Sequence, residues 1–429
     1  MSTPINEVPI HLHGLGVYLP PKELSNEQIE QGMPWLHTNA RWIAEHTGIH
    51  TRRIADPDQL GTDMGYLAAK ETIELSGIDP EEIDLILLAT NTPHWVYPAG
   101  AGQIAVAFGK DEQGRMRMRN AGALDVQQGC ASFLGAIGMA TAMVRGGGFR
   151  NVLVVGADVV TRMVDWTERD AILLGDAATS CIVSAEEPRA PAKSPSFQVL
   201  GHFMRTEGRR ADVIQQRSVL NVENHPLSIL KNFPPTEETP EIYGEGFFGS
   251  NKPGERRFFE MDGRQVYRFV TGTVPREGYL EVLRRSGLLE DAPEGLELDS
   301  VQSLAEIRDR GRRREISQYL ASKIDMFVPH SANLSLNQDL ANEMGIPFER
   351  MYVTLHKYGN TSAASVGISL YEALRMESRY LTLTKRDGKG EIKVPSREVV
   401  TPKIKSGQHV MLLSFGAGKS WNYLMVKRS

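Results

Sequence analysis

Apolar and polar positions follow two rhythms along this chain. Ile83-Asp84-Leu85-Ile86-Leu87-Leu88-Ala89-Thr90 is a nearly unbroken apolar run that ends in small and polar residues. Val152-Leu153-Val154-Val155-Gly156-Ala157 is a second, rich in β-branched residues. Such runs fit strands buried on both faces of a mostly parallel sheet. Residues 99–108 and 131–145 are rich in Ala, Gly and Met, lack Pro, and predict buried helices. Strand–helix alternation predicts an α/β fold. The second half repeats the rhythm. Ile324-Asp325-Met326-Phe327-Val328 resembles Ile83 to Leu87, and Val410 to Gly416 resembles Val152 to Gly156, which suggests a faint internal duplication.

Three stretches break the rhythm and read as surface insertions. Residues 205–258 are charged and include a Pro- and Gly-rich piece from Asn232 to Gly254. Residues 290–322 carry Arg308, Arg310, Arg312, Arg313 and Arg314. Residues 380–402 hold Asp387-Gly388 between alternating segments, a hairpin signal. Long loops of this kind are often functional.

Composition narrows the function classes. The 429 residues are 41% hydrophobic and 24% charged, enough apolar content for a large core. Lys plus Arg number 48 against 53 Asp plus Glu, a net charge of −5, which argues against a nucleic-acid partner. No apolar run reaches the ~18 residues of a membrane span. Met1 to Pro9 has no basic stretch followed by an apolar one, so a cytoplasmic location is expected. Cys130 and Cys181 are the only cysteines, too few for a disulfide framework or a Cys-rich zinc site.

Four segments could carry chemistry. Cys130 lies in Gln128-Gly129-Cys130-Ala131-Ser132, between an apolar run and an Ala-rich helix. A helix N-terminus favours a thiolate, so Cys130 is a candidate acyl nucleophile, or else a buried structural cysteine. Cys181 reads as plain core. His330, in Val328-Pro329-His330-Ser331-Ala332-Asn333, follows a strand directly and is either a proton-handling ring or a structural one. Asn360, in Tyr358-Gly359-Asn360-Thr361-Ser362-Ala363-Ala364-Ser365, offers an uncharged donor among small residues, or a helix cap. Phe415-Gly416-Ala417-Gly418-Lys419-Ser420 imitates the tail of a phosphate-binding loop. Leu413 stands where that loop needs Gly, and Trp421 to Val426 reads as a strand, so the glycines are expected to expose a backbone amide instead. His11 and His13 share one face of a strand, but no nearby acid or thiol supports a metal pair.

Taken together these segments resemble the β-ketoacyl-acyl-carrier-protein synthase III family of condensing enzymes. The resemblance runs through Gly14 to Pro20, Trp42-Ile43, Thr47-Gly48-Ile49, Tyr97-Pro98, Cys130-Ala131, Gly156 to Arg162 and Gly175-Asp176. It continues in Pro329 to Asn333, Gly359 to Ser365 and Phe415 to Gly418. It implies a thiolase fold with duplicated halves in a five-layer αβαβα sandwich, residues 1–195 and 196–429, and a homodimer. It implies Cys130 as the acylated nucleophile and His330 with Asn360 as the pair that stabilises an enolate. The backbone amides of Cys130 and Ala417 would form an oxyanion hole. Trp42 and Arg162 would sandwich the adenine of coenzyme A, and Tyr97 would reach the partner's acyl pocket. Acyl-CoA or acyl-carrier-protein thioesters are the implied substrates and carrier protein the implied partner, with no cofactor and no metal.

Several departures point to a specialised relative. Ser335 stands where the family usually has a basic residue for carrier docking, and the arginines of 308–314 could replace it or form a solvated helical face. His46 replaces a usual Arg, and Lys419 a usual apolar residue. Pro93 to Pro98 contains no acid, which favours decarboxylative condensation. The expected activity is carbon–carbon bond formation between two acyl thioesters in specialised lipid or polyketide synthesis, with possible ring closure as one outcome. The alternatives are primer-type initiation of fatty-acid synthesis and a non-catalytic partner subunit.

Overall fold

The computed structural model describes residues 8–188, 194–208, 213–216, 258–386 and 392–429. Among these, nine strands form one main sheet, numbered here in chain order. They are β1 (His11–Tyr18), β2 (Leu85–Ala89), β3 (Gly122–Val126), β4 (Asn151–Asp158) and β5 (Ala177–Ser184). The rest are β6 (Phe197–Thr206), β7 (Met326–Pro329), β8 (His409–Gly416) and β9 (Ser420–Arg428). The spatial order is β7-β8-β9-β6-β1-β5-β4-β2-β3.

That order contains one pattern twice. In the first half, β3, β2 and β4 are parallel, while β5 and β1 are antiparallel additions. In the second, β7 and β8 are parallel, and β9 and β6 are the antiparallel additions. The counterpart of β3 is reduced to a parallel bridge of Met351 to Phe327. The two sets meet edge to edge at only two residue pairs, His11 with Gln198 and Leu12 with Phe197. The repeat extends to single hydrogen bonds. Asp84, before β2, donates its amide to Asn151 O (3.0 Å) and accepts from Asn151 N (3.1 Å). Asp325, before β7, donates to His409 O (2.9 Å) and accepts from His409 N (2.8 Å). The sheet is therefore mixed rather than mostly parallel. β5 and β9 are as buried as their parallel neighbours because helices cover both faces, so burial hides the difference in direction.

The helices that matter to the site are α1 (Ala40–Thr47), α2 (Gly61–Ser76), α3 (Gly100–Ala107) and α4 (Ser132–Arg145). They continue with α5 (Arg310–Ser322), α6 (Leu334–Glu343) and α7 (Ser365–Ala373). α2 and α3 cover the first half, α5 and α6 the second, and α4 and α7 lie between the two halves. The layers are those of a thiolase fold. The central core joins Phe133, Ile137, Val366 and Leu370 from α4 and α7 to Leu12, Val154, Val328 and Leu412 from both strand sets. Small residues make this middle layer thin enough. A methyl group added at Gly138 of α4 would sit 2.1 Å from the His202 ring of β6.

The predicted strands and the helices over 99–108 and 131–145 are present. The insertion at 290–322 is a partial correction. Residues 310–322 are α5, a helix of the fold whose Ile316, Ser317, Leu320 and Ala321 are buried. Its arginine-rich first turn is solvated, which hid the amphipathic period behind it. Most of 205–258 lies outside the described residues, as do Asp387 and Gly388. The strands flanking the latter do pair, Ser378–Leu381 with Glu398–Thr401 and Lys385–Arg386 with Ile392–Val394.

Candidate active site

Cys130 stands between β3 and α4, two residues before the helix begins. Gly129 before it has φ +59, a left-handed conformation that glycine adopts without steric cost. The turn after β8 packs against it. A methyl group on Gly416 would lie 2.6 Å from Cys130 N, and one on Gly129 would lie 2.6 Å from Ala417 N. The two glycines thus let the amides of Cys130 and Ala417 lie side by side.

The segment between Gly359 and α7 ties the rest together. Asn360 is held through its backbone, donating to Leu173 O (2.8 Å) and accepting from Gly175 N (3.1 Å). Its side-chain Oδ1 accepts from Ser362 N at 2.9 Å, which leaves Nδ2 as the free donor end. Ser362 Oγ lies 3.5 Å from Cys130 Sγ. Ser365 Oγ lies 2.6 Å from His330 Nδ1. One six-residue stretch therefore carries Asn360 and touches both Cys130 and His330. His330 follows β7 and packs edge-on against Phe415, ring centroids 5.2 Å apart.

The electrostatics are those of a buried, nearly neutral site. Burial pulls the His330 pKa down to about 3, so the ring is uncharged at neutral pH. Burial pushes the Cys130 thiol up to about 11, with the Ser362 hydrogen bond opposing and the Asp158 charge reinforcing. This corrects the expectation that the helix N-terminus would favour the thiolate. Desolvation is the larger effect. Cys181 is buried in the core and pushed up to about 12, as expected of a structural residue.

The other expected residues fall elsewhere. Trp42 of α1 stacks on His46 (4.3 Å) and lies under a guanidinium, 4.5 Å from its ring. That guanidinium belongs to Arg169, not Arg162. The Arg162 side chain is turned away, donating to Asp56 O (2.8 Å) and Gln59 O (2.5 Å). Arg169 is thus the cation that faces Trp42 in this structure. Arg169 opens a short 3-10 turn (Arg169–Leu173), and no sequence spacing marks such a turn as facing α1. Tyr97 is 83% exposed, next to Val96 at 96%, in a loop of the first half.

Sequence reasoning assigned no role to Asn91, Asp158 or Ser362. Asp158 ends β4 fully buried beneath the site and accepts from Asn91 N (2.6 Å), Asn91 Nδ2 (3.0 Å), Thr90 Oγ1 (3.1 Å) and Ala363 N (3.3 Å). An Asp closing an apolar strand was the available signal. His11 and His13 are both buried, and burial lowers His13 to about 4. Among the described residues no three His, Cys, Asp or Glu side chains gather as a metal site, and no helix is long and apolar enough to cross a membrane.

Comparison with known proteins agrees with this architecture. Residues 124–208 match the family model of 3-oxoacyl-[acyl-carrier-protein] synthase III, and residues 315–379 match its C-terminal domain model. A β-ketoacyl-[acyl-carrier-protein] synthase III of Clostridium tetani is 28% identical over 420 residues, covering 97% of this chain and 98% of the relative. The crystal structure of 3-oxoacyl-[acyl-carrier-protein] synthase III from Aquifex aeolicus superposes with a TM-score of 0.67 at 25% identity, covering 97% and 99% of the two chains. Cerulenin-bound OleA from Xanthomonas campestris shares the fold at 16% identity, with a TM-score of 0.62 and coverage of 97% and 96%. With both domain models matched in order and the likeness spanning nearly the whole chain, the protein is similar to the β-ketoacyl-[acyl-carrier-protein] synthase III condensing acyltransferases.

Proposed function

We propose that this protein joins two acyl thioesters by decarboxylative condensation through an acyl-Cys130 intermediate. The observation that carries the reading is the stretch 360–365, which holds Asn360 while its serines touch the sulfur of Cys130 and the ring of His330. The Cys130 sulfur attacks the first thioester, and the amides of Cys130 and Ala417 take the oxyanion. A second, malonyl-type thioester then loses CO₂, and its enolate oxygen accepts from His330 and Asn360. This step requires the neutral ring to carry its proton on Nε2, with Nδ1 taking the Ser365 hydroxyl 2.6 Å away as its donor. Uncharged donors suit this step because they lose little to burial and stabilise charge only as it forms. The enolate carbon attacks the acyl group and frees Cys130.

Free coenzyme A or carrier protein delivers the acyl groups in this reading, with Trp42 and Arg169 as the aromatic and cationic pair for an adenine. An adenine would part the two, since they are in contact here. Residues 1–195 and 196–429 act as two thiolase-like halves, supported by the repeated strand order. A second copy pairs along β3, and Tyr97 enters its acyl pocket. We further assign the reaction to specialised lipid or polyketide synthesis. The hairpin of Ser378–Leu381 with Glu398–Thr401 supports this, because it adds Arg379, Tyr380, Leu381 and Glu398 as a wall to a cavity shared with Gly48, His50, Leu334 and His356. The names of the curated relatives favour the second reading, fatty-acid initiation. Product analysis with short and long acyl thioesters separates the two.

Intact-mass measurement after incubation with acyl thioesters tests the core of the reading. The expected result is one acyl adduct on Cys130, absent in Cys130→Ala. Asn360→Ala should still acylate while losing condensation by roughly 10²-fold or more. No adduct with any chain length, or condensation by either variant at the parental rate, overturns it.

A further inference from the structure

We propose that Ser362 is a positioning residue for the Cys130 sulfur: its hydroxyl, turned by the Asn91 amide, donates to the sulfur and holds it as a thiolate. The inference rests on the assignment of Cys130 as nucleophile. Three acceptors surround Asn91 Nδ2: Gly129 O at 3.0 Å, Asp158 Oδ2 at 3.0 Å and Ser362 Oγ at 3.3 Å. The first two are acceptors only, so the nitrogen end of the amide must sit there. The two Asn91 protons point at those closer acceptors, and Ser362 Oγ shares one of them as the long arm of a three-centre bond, which leaves the serine's own proton free to point elsewhere. Two acceptors are in reach of that proton, Cys130 Sγ at 3.5 Å and the Asp158 carboxylate. The Asp158 carboxylate already takes five other donors, from Thr90, Asn91, Thr92 and Ala363, which leaves the sulfur the less crowded acceptor.

The backbone supports a selected role. Ser362 has φ +50, a left-handed conformation that costs a non-glycine residue free energy. Glycine would be the easier residue there, and the hydroxyl is what glycine would lack. The hydroxyl also answers a need of the site. Burial and the Asp158 charge both work against a thiolate, and the charged groups close to the sulfur offer no cation. His330 is neutral, and Lys419, in the turn after Gly416, is paired with Glu207 at 3.4 Å. A neutral donor is what remains to favour the ionised sulfur.

The test is the pH dependence of Cys130 alkylation by iodoacetamide, mapped by peptide mass spectrometry on the full chain. Ser362→Gly should alkylate roughly tenfold more slowly at pH 8, with its inflection moved upward, because a hydrogen bond to the ionised form lowers a pKa. Its thermal midpoint should hold or rise, since glycine relieves the strained φ. A merely structural role predicts the reverse, an unchanged profile. Asn91→Ala should slow alkylation too, and Asn91→Ala combined with Ser362→Ala should be no slower than Ser362→Ala alone. An unchanged profile in Ser362→Gly, or additive effects in the double variant, overturns the proposal. Alkylation needs no thioester, so a shifted profile without acyl adducts would leave this inference standing and remove the condensing one.

Discussion

Single residues at this site are governed by burial more than by local sequence. The helix start after Cys130 was legible, and a helix N-terminus does favour an anion by ~0.3–1 kcal/mol when exposed. Taking the sulfur out of water outweighs that, which is why the thiol is pushed up to about 11. The same reasoning explains the neutral His330. The cation that faces Trp42 was not legible for a different reason. Arg162 and Arg169 are seven residues apart, and only the path of the intervening turn decides which one meets α1. Arg169→Ala should therefore weaken coenzyme A binding by roughly tenfold, through loss of stacking on Trp42 and of a cation near phosphate. Arg162→Ala should leave binding close to parental, though it gives up bonds to Asp56 and Gln59. Calorimetric titration with coenzyme A checks both, and equal losses would return the role to Arg162.

Among the elements, β3 is the informative one. It is the edge of the main sheet, and Leu124 on it is 49% exposed. Asp125 on the same strand accepts from Gly100 N (2.8 Å) and Ala101 N (2.9 Å), which fixes the start of α3 and the loop before it. Exposed Val106 of α3 and Trp95, Val96 and Tyr97 of that loop extend the apolar surface. An open apolar sheet edge is a site for pairing with another chain. In the proposed dimer, Leu124→Lys should break the pairing, read as a shift to monomer in sedimentation velocity, and lower condensation with it. A parental protein that sediments as a monomer at micromolar concentration would remove the dimer from the reading. α5 teaches the converse lesson: its charged first turn masked a helix whose later turns are core.

For the molecule as a whole, the buried histidines predict how stability depends on pH. Burial lowers His13, His202 and His356 to about 4 and His330 to about 3, from an ordinary 6.5. A histidine depressed in the folded state binds its proton first in the unfolded chain. These four thus contribute no pH dependence well above 6.5, and stability falls as pH drops from 6.5 toward 4, by up to about 1.4 kcal/mol per pH unit for each. Asp158 and Asp176, raised by burial, act in the opposite sense as carboxyls titrate. Urea midpoints should be level between pH 7 and 8 and clearly lower at pH 5. A flat profile down to pH 5 would mean that these rings reach water.

The strands and central helices were readable because their apolar periods are set by burial, and burial is written in residue type. The duplication was readable at Asp84 and Asp325, where the same residue meets the same neighbouring strand. Cys130, His330, Asn360 and Ala417 were each visible as a small motif. Their meeting was not, because 30 to 230 residues of chain separate Cys130, His330 and Asn360 from one another. Sequence determined the elements and the candidate chemistry. Tertiary structure decided strand direction in β5 and β9, which arginine faces Trp42, the Asn91–Ser362–Cys130 hydrogen bonds and the protonation of the site. Those depend on distances and desolvation between segments remote in the chain, which no local spacing encodes.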